Sequence, residues 1–552
     1  MLTSFFKKLT GGKFLVFSIC LSLSVNLNAQ EIEWQNTIGG NSMDYLYSIE
    51  QTADGGYILG GASYSTISGD KTENSIGSYD YWIVKTNATG NIQWQNTIGG
   101  NDWDQLFSIQ QTADGGFILG GTSSSNISGD KSENSNGTFD YWIIKTDSLG
   151  IIQWQNTIGG NDWDQLNYIE QTADGGYILG GFSHSIISGD KTEHSNGIHD
   201  YWLVKTDSTG NIQWQNTIGG NNWDQLNSVE QTADGGYILG GYSNSNISGD
   251  KTENCIGGFG NYDYWIIKTD SLGIIQWQNT IGGNNWDQLN SVEQTTDGGY
   301  IFGGRSDSNI SGDKTENTNG NSDFWIVKTD ATGNIQWQNT IGGSSGDQLQ
   351  SIKQTSDGGY ILGGSSSSNI SGDKTENTNG NSDFWIVKTD ATGNIQWQNT
   401  IGGNGSDELY SIEQTTDSGY IFGGRSDSNV SGDKTENTNG HHDYWIVKIC
   451  DSLSTASLCS AVSVNELVID YKEVEVFPNP VIDELTIQLN YTNYLNQPIT
   501  ISIIDVLGNV VRKETTTNPK SPIRNLKSFS PGIYFVEVKT GKEVYRAKFV
   551  KE

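Results

Sequence analysis

Four tryptophans stand where a run of strands has no evident use for them. Trp103 and Trp163 lie in GGNDWDQL, which runs from Gly99 to Leu106 and again from Gly159 to Leu166. Trp223 and Trp286 lie in the close copy GGNNWDQL. A large aromatic after a glycine pair and beside an acid reads as the tip of a loop. Its chemistry is stacking, of the kind that a flat sugar face accepts. The spacing leaves two uses open: an arc of tryptophans that binds glycan, or four local lids over grooves in the fold.

The acids are the second candidate set. The pairs Asp130 and Glu133, Asp190 and Glu193, and Asp250 and Glu253 recur in a GDKxE loop and supply oxygen donors of the type calcium takes. Their spacing fits neither an EF-hand nor a glycine-rich nonapeptide, and turn aspartates by default bond nearby backbone amides. Calcium is therefore the one cofactor indicated, and only by these loops. Three histidines fall in one stretch, His184, His194 and His199, with His184 expected far from the other two. Arg305, Arg425, Lys353 and the His441–His442 pair are further departures from the repeat, read as surface drift. No nucleophile elbow, HExxH helix or phosphate-binding loop is present, and nearly every carboxylate recurs, which argues against a single catalytic centre.

These residues are positioned by a repeat. WQNTIGG begins at Trp34, Trp94, Trp154, Trp214, Trp277, Trp337 and Trp397, at spacings of 60 residues with one of 63. Each unit contains four aromatic and β-branched runs, in the first copy Ile32 to Ile38, Tyr47 to Thr52, Tyr57 to Ser63 and Asp80 to Thr86. Tight turns at ADGG and NATG alternate with longer loops. Four short antiparallel strands repeated seven times predict an all-β chain, a seven-bladed β-propeller. The last unit ends at DYWIVK without a Trp strand, so Ile32 to Ile38 is expected to complete it and close the ring. The SIEQT strand should then line a central channel. Of the 18 tryptophans, the Trp82 and Trp94 types belong to strands and are expected in the core. The other four become Met43, Gly346 and Ser406 in the remaining units, so the fold can dispense with them. The pattern W..TIGG…D….I..T.DGGYILGG.S.S resembles the seven-bladed β-propeller repeat family of secreted bacterial proteins over most of Glu31 to Lys448.

Beyond Cys459 a different strand-rich section begins, with turns at Gly508, Pro531–Gly532 and Gly541, and reads as a small antiparallel β-sandwich of immunoglobulin-like type. Its FPNP, D.LGN and L.S.SPGIYFV…K.VK elements closely resemble the C-terminal sorting domain of the type IX (Por) secretion system. That resemblance implies sorting roles for Pro478, Asn479, Pro480, Gly508, Gly532, Tyr534 and Lys548, with the type IX machinery as partner. Domains are expected at 1–29 (signal peptide), 30–449 (propeller), 450–472 (linker) and 473–552 (sorting domain).

The first residues fit an export signal: Lys7, Lys8 and Lys13, the apolar run from Phe14 to Val25, and a cleavage site after Ala29. No later segment is long and apolar enough to predict membrane insertion. Acids outnumber bases 64 to 31, a net charge of −33 concentrated in the repeats, which disfavours nucleic acid as a partner. Cys450 and Cys459 could pair in an oxidising compartment. The residues thus suggest an exported, cell-surface or extracellular binding or adhesion module for glycan or protein. A polysaccharide-degrading enzyme (hydrolase or lyase) and a purely structural surface protein are the alternatives.

Overall fold

The computed structural model describes residues 30–258 and 260–450 and, in the C-terminal section, 472–473, 475–477, 481–488, 499–505, 510–516, 520–523, 526–530, 532–540 and 543–551. The export signal, linker residues 451–471 (Cys459 among them), Pro478, Asn479, Pro480 and Gly508 lie outside the described residues. The chain forms two compact units, Met1–Cys459 and Ser460–Glu552.

The first unit is all β. Among its described residues are seven four-stranded antiparallel sheets. The first is built from β2 (Asp44–Gln51), β3 (Tyr57–Ser63), β4 (Asp80–Thr86) and β5 (Ile92–Ile98), in that order. β1 (Ile32–Ile38) instead joins the last sheet, antiparallel to Asp443–Ile449, with Trp34 opposite Lys448 and Ile38 opposite Tyr444. Three of the four strands have the bounds that the sequence predicts. β2 differs, starting at Asp44 rather than Tyr47. Its first residues belong to the sheet because Asp44, Tyr45 and Leu46 pair with Ser63, Ala62 and Gly61 of β3, while the Asp44 amide donates to the carbonyl of His442, just before the last sheet's strand, at 2.7 Å. The aspartate of the WDQL motif is thus a strand residue, not a loop residue.

Burial explains the strand compositions. β3 and β4 are buried along their whole length, so both read as continuous apolar and aromatic runs. β5 lies at a sheet edge and is mostly half-buried, so the Trp94-type tryptophans are only partly covered, except Trp397, which is buried, while Trp82 and its equivalents are fully enclosed. Cores form between sheets rather than within them. Ile58, Tyr81 and Ile83 of the first sheet pack with Leu106, Ile109 and Trp142 of the second. Ile421, Tyr444 and Ile446 of the last sheet pack in the same way with Leu46, Ile49 and Trp82 of the first. The phenol of Tyr81 donates to the Trp142 carbonyl at 2.9 Å, and Tyr444 makes the matching bond to Trp82. Cys255 takes the place of the serine or threonine of other units; its thiol donates to the Ser243 carbonyl at 2.9 Å, as Ser75 does to Ser63.

Among its described residues the second unit contains a five-stranded and a three-stranded sheet. They share a core of Val481, Leu485, Ile487, Ile501, Ile503, Val536, Val538 and Phe549. Gly532 opens the strand Gly532–Thr540, and the Tyr534 side chain is buried with its hydroxyl donating to the Ser530 carbonyl at 2.9 Å. Lys548 lies on the final strand opposite Phe535.

Candidate functional site

The glycine pair and aspartate of each GGNxWDQL segment build the crossing from one sheet to the next. At the first boundary the Asp104 amide donates to the Tyr79 carbonyl at 2.7 Å, setting Asp104 beside Asp80. The Gly100 amide and the Ser125 hydroxyl donate to Asp104 Oδ2 at 2.6 and 2.9 Å. Asp80 Oδ2 accepts the Ile76 amide. A methyl group on Gly99 would fall 2.1 Å from Asp80 Oδ1, so only glycine can pass there. Both aspartates are fully enclosed, and the Oδ1 atom of each has no hydrogen-bond partner. Burial pushes Asp80 up to about 7, helped by the neighbouring Asp104, which burial also raises. Lys71 is buried against the Trp82 ring at 4.9 Å and donates to Thr97 Oγ1 at 2.6 Å; burial brings it down to about 8.

The acids considered for calcium tie backbone together. Asp130, Asp190 and Asp250 accept the amides of Gly99, Gly159 and Gly219 at 3.1–3.2 Å. Glu133, Glu193 and Glu253 accept those of Thr157, Thr217 and Thr280 at 2.6–2.7 Å. Among the described residues, no three His, Cys, Asp or Glu side chains are grouped to hold a metal ion. Cys450 is buried, its Sγ 3.6 Å from Glu33 Oε2.

The histidine expectation needs correction. His184 stacks on His199 with ring centroids 5.3 Å apart, because the strand that His184 follows lies beside the one that His199 precedes. His184 faces Asp162 at 3.5 Å, and burial, with His184 adding to it, brings His199 down to about 4. Two other departures from the repeat also have partners rather than being drift. Arg425 pairs with Glu408 at 2.6 Å and lies over the Tyr45 ring at 4.7 Å. Lys353 lines a cavity of about 390 Å³ to which the first strands of all seven sheets contribute, with Glu50, Glu170, Glu230 and Glu413 also on its wall. Burial pushes the Lys353 ammonium down, but the surrounding acids, Glu293 foremost, hold its pKa above the ordinary lysine value.

The four loop tryptophans are each between 37% and 42% exposed. Each packs on the residue preceding the DYW-type strand of the sheet before it: Trp103 on Tyr79, Trp163 on Phe139, Trp223 on His199 and Trp286 on Tyr262, at centroid distances of 4.7, 6.0, 4.3 and 5.5 Å. Where the tryptophan becomes Gly or Ser, the partner is a serine, Gly346 facing Ser322 and Ser406 facing Ser382, whereas Met43 faces His442. Each tryptophan is therefore a lid on one side and open on the other. Two of them share more. Trp103 and Trp163 line a single cavity of about 240 Å³ with Gln105, Phe107, Thr122, Phe139 and Gln165. Thr122, Phe139 and the two glutamines were not singled out by the sequence. The signal available was the variation at position 122, occupied in the seven units by Ala62, Thr122, Phe182, Tyr242, Arg305, Ser365 and Arg425.

Comparison with known proteins bears on the second unit. Residues 475–552 match the secretion system C-terminal sorting domain. The protein is exported by type IX secretion to the cell surface or the extracellular space, and this domain engages that machinery. No helix among the described residues is long and apolar enough to cross a membrane. An endo-acting ulvan lyase from Formosa agariphila is 33% identical over 102 residues, which is 18% of this chain and 19% of that protein. The chain thus covers about a fifth of that relative. A glycoside hydrolase family 32 structure from Bifidobacterium adolescentis aligns over 94% of this chain and 95% of its own, at 7% identity and a TM-score of 0.24, too low to carry an argument.

Proposed function

We propose that the seven sheets are the blades of one closed β-propeller, and that this propeller is a non-catalytic module that binds glycan at its long-loop end. The strand exchange of β1 into the last sheet supports closure. So does the bond from the Thr416 amide to Gln51 Oε1, which repeats between last and first sheets the bond from Ala53 to Gln111 between first and second. The observation that carries the binding role is the pair of exposed tryptophans facing one cavity. Sugar rings stack on such faces, and few other surface features of an exported protein leave large aromatics half uncovered. Ile67, Ile127 and Ile247 are also exposed, on the long loop between the third and fourth strands of their sheets.

The test is binding of the purified propeller to immobilised polysaccharides, compared with a Trp103→Ala/Trp163→Ala double variant. Retention of wild-type protein and its loss in a folded double variant is the expected result. Release of oligosaccharides from any of these polymers would overturn the non-catalytic reading.

A further inference from the structure

The cavity between Trp103 and Trp163 is open because of one residue. Thr122 forms part of its wall, is 4% exposed, and has a hydroxyl with no hydrogen-bond partner. A buried hydroxyl without a partner is costly. At the next boundary the equivalent residue is Phe182, which packs against Trp163 at 5.5 Å and His199 at 4.7 Å and fills the corresponding space. One boundary further, Tyr242 does the same against Tyr262 at 5.2 Å, with its hydroxyl donating to Gln225. In the first sheet, Tyr45 stacks on Tyr79 at 5.8 Å.

We propose that the Trp103–Trp163 cavity is the subsite for a single uncharged sugar ring, opened by Thr122, whose side chain is small where the equivalents at the next two boundaries are aromatic. This rests on the glycan-binding reading above and narrows it from four tryptophans to two. At about 240 Å³ the space is below the ~300–1,000 Å³ of pockets for larger ligands, which suits one ring. Its walls supply two indole faces, the Phe139 and Phe107 rings, and the amides of Gln105 and Gln165 as orienting polar groups. The Trp103 indole N–H already donates to Gln105 at 3.2 Å, which fixes that ring. Charge selects the class of sugar. Among the described residues no cationic side chain lines the cavity, and the residues immediately before the two tryptophans are Asp102 and Asp162. A uronate or sulfated sugar would find no cationic side chain on that wall to offset its charge.

The experiment follows tryptophan fluorescence and calorimetry of the intact mature protein. The probes are soluble neutral polysaccharides (a β-glucan, a galactan and a mannan) and two polyanions, a polyuronate and a sulfated galactan. The wild type is expected to bind at least one neutral polymer and neither polyanion. Thr122→Phe copies the residue found at position 182, so the fold tolerates it, as a melting curve would check. It should weaken binding by tenfold or more. Phe182→Thr should raise the stoichiometry from one site towards two. Undiminished binding by Thr122→Phe would overturn the subsite while leaving glycan binding in place. Equal or tighter binding of the polyanions would overturn the uncharged class. A wild type that binds none of the five polymers would overturn the glycan reading and the subsite with it.

Discussion

At the scale of single residues, repetition makes deviations interpretable. The hairpin after β2 places Gly55 at φ 81°, a left-handed conformation natural to glycine, and five further units have glycine there at φ 82–83°. In the last unit the position is Ser418, at φ 70°. A side chain in that region costs about 1–2 kcal/mol, while the rest of the turn, with Thr415 and Gly419 donating to Asp417, is unchanged. Ser418→Gly should therefore stabilise the first unit by about 1 kcal/mol. A denaturant midpoint equal to or below that of the wild type would contradict this. The lid tryptophans can be read in the same manner. Their pairing with Tyr79, Phe139, His199 and Tyr262, and the joint loss of both partners in two units, was present in the sequence. It could not be recognised as contact until the strands were known to lie side by side.

At the scale of elements, each sheet boundary carries the same buried aspartate pair. Burial pushes Asp80, Asp140, Asp200, Asp263, Asp323 and Asp443 up to about 7 and Asp383 up to about 6. In the unfolded chain such groups titrate near 3.8. A folded pKa above the unfolded one means that the native state binds more protons between these values. The stability these groups contribute is complete below about pH 4 and is lost as pH rises through about 7. The hairpin aspartates are instead held down, Asp54, bonded to Thr52, Gly56 and Lys85, at about 2, so their contribution is lost only at more acid pH. The melting temperature of the first unit should thus be higher at pH 5 than at pH 7.5, and Asp80→Asn should reduce the difference. A melting temperature that climbs across this interval would show that the boundary carboxylates are ionised at little cost.

At the scale of the whole molecule, the decisive element is β1. It comes from the start of the repeats and pairs with their last strand, so the sheet edge at Asp443–Ile449 is covered by residues some 400 positions away. Removing residues 30–38 should leave that edge unpaired, lower the melting temperature and promote association through the exposed strand. Size-exclusion chromatography and a melting curve would test this, and a monomer of unchanged stability would argue against closure by β1. The sorting domain is separate in its logic, with its own two sheets and core, and its role is export.

The sequence by itself determined the repeat, the strand runs and the sorting domain, because each depends on local patterns: alternation, turn residues and short spaced motifs. It also located the tryptophans and showed that the fold could spare them. It did not distinguish an arc from lids, nor indicate that one boundary is open where its neighbours are filled. Those facts depend on which side chain of one sheet meets which side chain of the next. Thr122, Phe139 and Trp163 are scattered over 41 residues and share a cavity only once three strands from two sheets are packed together. The same holds for the aspartates. Sequence placed Asp104 in a loop by its glycine neighbours, whereas the hydrogen bond from its amide to the preceding sheet makes it the buried first residue of a strand.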